Sequence, residues 1–281
     1  MIVFMGQHSQ EIHLSNLQII NRQVVYGDED RVKAALDAIK NNDQLQALLS
    51  STGSVIDYSQ RTVTGTLFQA AICAGDEKMV EMMKAYFDKL ANGQNEIARQ
   101  FNEIFPRGLE AHVEEQKHTV FDFTPIIAAI DNASVNKLQA ALDKTDNGKA
   151  LAQALTIFRD SFTQHSFSEK VFNPHHLLKA FELYDRQYDN WSGNLLGVGN
   201  PKSKKRDLFW CQVIGFVQRF LPANYAQALA YGIYGIVKNK EVCPRSFNFS
   251  GGGSFYPISS GLGVNFAVGA GSSKGGPSSG G

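Results

Sequence analysis

Residues 66–83, TLFQAAICAGDEKMVEMM, place a hydroxyl residue, a small and apolar run, a Gly-Asp pair and a second apolar stripe in that order. Each part has a local physical reason. Thr66 caps or closes a turn, and Leu67 to Ala74 supply a short first helix. Ala70 and Ala71 are small enough to let a neighbouring helix approach closely. Gly75 ends the helix where a positive φ is cheap, and Asp76 caps the next one. Met79, Val80, Met82 and Met83 form the apolar side of that second helix. The order recurs in TPIIAAIDNASVNKLQAAL (124–142), where Thr124, Pro125, Ala129, Leu138 and Leu142 stand at the places of Thr66, Leu67, Ala71, Val80 and Lys84. The last correspondence is imperfect, because Met83 carries the apolar contact there. VVYGDEDRVKAAL (24–36) repeats the second half, with Gly27-Asp28 matching Gly75-Asp76 and Val32 matching Val80. Three copies of one helix–turn–helix unit are expected, and internal repetition constrains the fold more than any other feature.

The pattern resembles the ankyrin repeat, whose T-P-L-H-x-A-A-x-x-G-H-x-x-x-V-x-x-L-L signature these segments echo. Thr124-Pro125 matches its opening, and the two Gly-Asp pairs match its Gly-His turn with Asp in place of His. The spacing departs from the family: 48 residues separate Gly27 from Gly75 and 58 separate Thr66 from Thr124, against about 33 in a regular repeat. Extra helices account for the excess, among them EIARQFNEIF (96–105). The resemblance implies an all-α, divergent ankyrin-like array over residues 15–148, after an N-terminal segment of residues 1–14. The alternative is a generic helical bundle whose turns use Gly-Asp.

Composition sets outer bounds. Hydrophobic residues make up 43% and charged residues 19% of the 281-residue chain, the balance of a globular protein with a sizeable core. Lys plus Arg and Asp plus Glu both number 27, so net charge gives no reason to expect nucleic-acid or anionic-membrane binding. Cys73, Cys211 and Cys243 are distant from one another and form no CxxC pair, which argues against a disulfide framework or zinc ribbon. MIVFMGQHSQ lacks a basic stretch followed by an apolar one, so no Sec-type signal peptide is expected. Residues 220–237 carry no charge, but Pro222, Asn224 and Gln227 interrupt them, and a buried helical hairpin is the expectation over a membrane span.

After Gly148 the repeat signal stops. Residues 149–240 read as a C-terminal helical region or cap. KALAQALTIFRDSF places Leu151, Leu155, Phe158 and Phe162 at helical spacing. Asn173-Pro174 opens a helix with Leu177, Phe181, Tyr184 and Tyr188 on one face. SGNLLGVGNPKSKKR reads as a loop, followed by the apolar helices DLFWCQVIGFVQRFL and ANYAQALAYGIYGIV. Residues 241–268 form a Gly- and aromatic-rich extended segment, and 269–281 a Gly/Ser-rich tail expected to be disordered. RDLFWCQVIGFVQRFLPANYAQAL (206–229), SFNF (246–249) and GGSFYP (252–257) look like segments of ankyrin-type effectors of intracellular bacterial pathogens. That resemblance implies export by a type IV, non-Sec route into the host cytoplasm, with SSKGGPSSGG suited to an unfolded export tail.

No catalytic constellation, metal site or cofactor site is read from the sequence. Cys73 and Cys211 lie in apolar helices, where a thiol is usually a small hydrophobe. A Cys-dependent hydrolase would have to pair Cys211 or Cys243 with His165 or His175, and no family-type motif surrounds them. His175 and His176 are adjacent, so they point about 100° apart and suit solvent-facing first-turn positions better than one ion. Gly251–Gly253 and GLGVNFAVGAG lack the Lys-Ser/Thr ending of a phosphate loop. PKSKKR (201–206) reads as a solvated basic run. An ankyrin-like stack implies recognition of a protein partner, from a eukaryotic host if the effector resemblance holds, with no nucleic acid and no membrane insertion. The expected contact residues are Val25, Tyr26, Cys73, Ala74, Asp131 and Asn132 on inner helices and Tyr58 and Arg61 in the loops entering the repeats. The small side chains of Cys73 and Ala74 equally suit coverage by a neighbouring helix. Rival expectations are an enzyme sited in the C-terminal helices and a membrane-associated protein using 220–237.

Overall fold

The computed structural model describes residues 17–57, 59–143, 145, 150–191 and 201–226. The described chain is mostly helical. Helix α1 covers residues 17–25, followed by α2 (Glu29–Asp37), α3 (Asn42–Ser50), a hairpin of β1 (Gly53–Ile56) and β2 (Thr62–Gly65), and α4 (Leu67–Cys73). Then come α5 (Glu77–Phe87), α6 (Gly93–Ile104), α7 (Leu109–His118), α8 (Thr124–Asp131) and α9 (Val135–Leu142). The last elements are α10 (Ala150–Ser168), α11 (His175–Trp191), α12 (Pro201–Leu208), a π-helical segment (Phe209–Ile214) and α13 (Gly215–Gln218). PKSKKR is therefore helical, the first turns of α12, instead of a loop.

Two of the three turns read from the sequence share one geometry. Gly27 and Gly75 adopt φ of 69° and 64°, the left-handed region where a side chain is strained. Gly27 N–H donates to the Val24 carbonyl and Asp28 N–H to that of Gln23; Gly75 and Asp76 donate likewise to Ile72 and Ala71. Both are Schellman closures. Asp28 then accepts from Arg31 N–H, and Asp76 from Met79 N–H, each at 3.2 Å, capping α2 and α5. The third unit differs. It turns through Ala133, and Ser134 at the N-cap of α9 makes no side-chain cap bond. Thr124 does not repeat the role of Thr66 either. Thr66 closes a reciprocal capping box with Gln69, whereas Thr124 is already the first helical residue, its N–H held by Asp122 at 2.9 Å.

The hairpin was not expected in an all-α chain. Its strands pair antiparallel, Gly53 opposite Gly65 and Ile56 opposite Thr62. Val55 and Val63 turn inward while Ser54, Ile56, Thr62 and Thr64 are exposed. The alternation is legible in SVID and RTVT once looked for.

Apolar side chains collect in two clusters. The first runs from Leu17 to Phe105 and the second from Phe123 to Ala226. Helices α8 and α9 thus share a core with α10–α13, and the division between clusters falls before α8 instead of at 148/149. Phe121, Phe123, Phe158, Phe162, Phe216 and Phe220 form an aromatic cluster with ring centroids 5.2–6.2 Å apart. Residues 171–173 stitch the clusters together. Val171 packs on the first, Phe172 on the second. Phe172 N–H donates to the Cys73 carbonyl at 2.8 Å, and its carbonyl accepts from Gln116 at 3.0 Å. The fully buried Asn173 amide donates to the Gln116 carbonyl at 3.0 Å. Asn224 adds a bond to the Gly75 carbonyl at 3.1 Å. Among the described residues no helix is long and apolar enough to cross a membrane; of 220–237, residues 227–237 lie outside them.

Candidate functional site

The hairpin and the end of α1 bring together three of the residues expected to contact a partner. Tyr26 follows α1 and donates its hydroxyl to the Ile56 carbonyl at 3.3 Å, with the Arg22 guanidinium 5.2 Å from its ring centroid. Val25 packs half-buried on the first cluster beside it. The tip is organised by one carboxylate. Asp57 Oδ1 accepts from Ser59 N–H, Ser59 Oγ and Arg61 N–H at 2.7–3.0 Å, and Oδ2 takes Arg61 Nε at 3.3 Å. This Asx arrangement carries Gln60 at φ 71°. Arg61 is thereby held in a fixed attitude, its side chain 15% exposed. Tyr58 lies outside the described residues. On the hairpin itself, exposed Ile56 and outward-facing Thr62 and Thr64 make a mixed apolar and hydroxyl surface.

Cys73 and Ala74 sit at the end of α4 under other parts of the chain. Cys73 is 7% exposed, so it offers no open contact surface; the covering segment is 171–172, a connection instead of a helix. Burial pushes the Cys73 thiol up to about 11, against the opposing charges of Lys170 and Arg61. Cys211 is also buried and pushed up to about 11, by burial and then by Asp207. Both are protonated at neutral pH and poor nucleophiles. Cys243 lies outside the described residues.

Asp131 ends α8 and Asn132 is its C-cap; both make internal bonds. Asp131 Oδ1 accepts from the Trp191 indole N–H at 2.7 Å, and its backbone carbonyl from Lys205 Nζ at 2.6 Å. The exposed Asp131 therefore ties α8 to α11 and α12. The Asn132 amide folds back onto the Ala128 carbonyl at 2.9 Å.

The structure corrects the reading of His176 as solvent-facing: it is 3% exposed. With His165 and Glu169 it forms a compact His–Glu–His group whose ligand atoms lie within 4.8 Å of one another. Sequence pattern gave no sign of it, because His165 and Glu169 close α10 whereas His176 opens α11. Its hydrogen bonds define its chemistry. Phe121 N–H donates to His176 Nδ1 at 3.1 Å, so that nitrogen is the acceptor and the proton resides on Nε2. Nε2 faces both Glu169 oxygens at 3.0 Å. Coordinating a metal through Nε2 would drive the proton to Nδ1, setting two N–H groups against each other. The same bond denies Nδ1 to a nucleophile's proton. His165 Nε2 meets the Thr119 carbonyl at 3.1 Å, which requires it to donate. The group acts as a latch between the α7–α8 connection and the α10–α11 connection. His175 is not part of the group.

No protein-family model, curated protein or solved structure matches this chain.

Proposed function

We infer that the chain is a non-catalytic protein-binding module built on a divergent ankyrin-like array, with a protein of a eukaryotic host as its partner. The observation that supports this reading most is the repeated local unit: two helix pairs closed by the same Gly-Asp Schellman turn, with a hairpin in the chain between them. In such an arrangement the inner helices and hairpin tips offer side chains on a rigid frame, so little ordering entropy is lost on binding. Tyr26 and Arg61, with Tyr58, would supply the aromatic and guanidinium anchors that dominate interface energetics. Delivery by a non-Sec, type IV route rests on the resemblance of residues 206–257 to pathogen effectors.

The test is recovery of a partner from eukaryotic cytosol on immobilised full-length protein, followed by affinity measurement with the purified partner. The Tyr26/Tyr58/Arg61 triple-Ala variant should lose the partner by at least a hundredfold in Kd while keeping its circular dichroism spectrum. Leu178→Lys, an exposed position on α11, should retain it. Should the triple variant unfold, Ile56→Lys probes the same face. Equal affinity in wild type and a folded hairpin variant would refute the proposed surface.

A further inference from the structure

The hairpin leaves one strand edge open. Asp57 N–H donates to the Arg61 carbonyl at 2.9 Å, so these two residues are a hydrogen-bonded pair. The alternation of an antiparallel ladder makes Val55/Val63 and Gly53/Gly65 bonded pairs as well. The intervening pairs, Ser54/Thr64 and Ile56/Thr62, turn their backbone N–H and C=O groups outward. The Ser54 and Thr64 hydroxyls meet at 2.8 Å, the close side-chain approach of a non-bonded pair.

The two outward edges differ. On β1, the Ile56 carbonyl takes the Tyr26 hydroxyl at 3.3 Å, and the Asn21 amide crowds Gly53, 2.6 Å from where a Cβ would stand. On β2, the backbone N–H and C=O groups of Thr62 and Thr64 have no partner among the described residues, and both residues are exposed. Strand edges are usually guarded by lysine, proline or a bulge. Thr62-Val63-Thr64 carries no lysine or proline, and its register runs without a bulge. Arg61 is drawn back onto Asp57 at 3.3 Å, its side chain 15% exposed.

The register of an added strand is restricted at both ends. Gln60, at φ 71°, breaks the extended backbone on one side; Thr66, the buried N-cap of α4, ends it on the other. Between them an antiparallel second copy fits in one way. A two-fold axis at Val63 sets Thr62 against the other copy's Thr64 and Thr64 against its Thr62, each pair exchanging both N–H···O bonds. All the outward groups of β2 are then satisfied at once. Val63, half-buried on the first cluster, meets its counterpart and covers apolar surface. Arg61 falls opposite Gly65, so no like charges oppose each other.

We propose that the β2 edge pairs with the β2 edge of a second copy of this chain, joining two hairpins into one four-stranded antiparallel sheet. The strand pairing itself buries less than the ~1,000 Å² of a permanent interface, so the dimer is weak and concentration-dependent. It is independent of the recognition of a foreign partner.

The experiment is sedimentation equilibrium of the purified full-length protein from roughly 10 μM to 1 mM, the range of weak association. It is run on wild type, Thr64→Val and Thr64→Pro. Proline removes only an outward-facing N–H, so the hairpin keeps its ladder; valine keeps that N–H and removes the hydroxyl. In wild type and Thr64→Val the weight-average mass should rise about 1.5-fold or more with concentration, and Thr64→Pro should stay monomeric. Amide exchange at Thr62 and Thr64 should slow over the same range in wild type. If Thr64→Pro fails to fold, Thr62→Pro decides on the same criterion. A monomeric wild type at the highest concentration, or a dimer that survives in a folded proline variant, would overturn the proposal. Protection of these amides that appears only when cytosolic extract is added to the monomer would assign the edge to a foreign strand and overturn it equally.

Discussion

Gln100→Leu is expected to be among the most damaging polar substitutions in the chain, by about 2–4 kcal/mol. Gln100 is fully buried on α6. Its amide nitrogen donates to the Leu49 carbonyl at 2.9 Å and to Glu96 Oε1 at 2.7 Å. Its amide oxygen accepts from the Thr66 hydroxyl, itself 2% exposed. Leucine is near Gln in volume, so the core stays filled while the Leu49 carbonyl and the Thr66 O–H lose their partners. Each such orphan costs roughly 1–3 kcal/mol, partly offset by the gain of apolar burial. Thr66→Val removes the N-cap of α4 and strands the Gln100 oxygen, for about 2–3 kcal/mol. In the double variant the Thr66–Gln100 bond is counted once, so its loss should fall short of the sum by about 1–2 kcal/mol. Urea unfolding of wild type, both singles and the double, with unchanged m-values, measures this coupling. Strict additivity within about 0.3 kcal/mol would show that the two side chains do not share a buried bond, and the reasoning would fail.

The Arg99 hydrogen bond holds the Glu96 carboxyl down at about 2, against an opposing desolvation penalty. A carboxyl lowered on folding contributes stability that is present above its ordinary range and lost as pH falls toward 2. About 1–2 kcal/mol should disappear between pH 5 and pH 2, allowing for the half-exposed Arg99, and Glu96→Gln should flatten that slope in acid titration of stability. In a Cys243→Ser background, Cys73 and Cys211 should not react with an aromatic disulfide reagent at pH 8 until the protein is unfolded; labelling of the native protein within minutes would contradict their burial. Gly75→Ala should cost about 1–2 kcal/mol, because a Cβ is strained at φ 64° and would meet Tyr225 Oη at 3.3 Å. Gly75→Asn should cost less, and melting temperatures would rank the two.

Turns and caps were legible because they depend on the preferences of one or two residues. Glycine tolerates positive φ and aspartate accepts a nearby N–H, so Gly27-Asp28 and Gly75-Asp76 declare themselves without reference to the rest of the chain. The stripe Leu151, Leu155, Phe158 and Phe162 is buried as its spacing demands. Thr66 and Thr124 show where such reasoning stops: similar neighbours, but one caps a helix and the other begins it, because Phe123 and Asp122 take over the start of α8.

The sequence by itself determined the helical character, the two Gly-Asp closures and the periodic apolar faces. Tertiary structure alone decided that His176 is buried against Glu169 and Phe121, that Asp131 anchors Trp191 and Lys205, that 171–173 joins two hydrophobic clusters, and that Arg159 meets Gln212. These outcomes pair residues 7 to 99 positions apart. Local propensity carries no information about such pairs; they form only when packing brings distant helices together and removes the water that would otherwise satisfy the same groups.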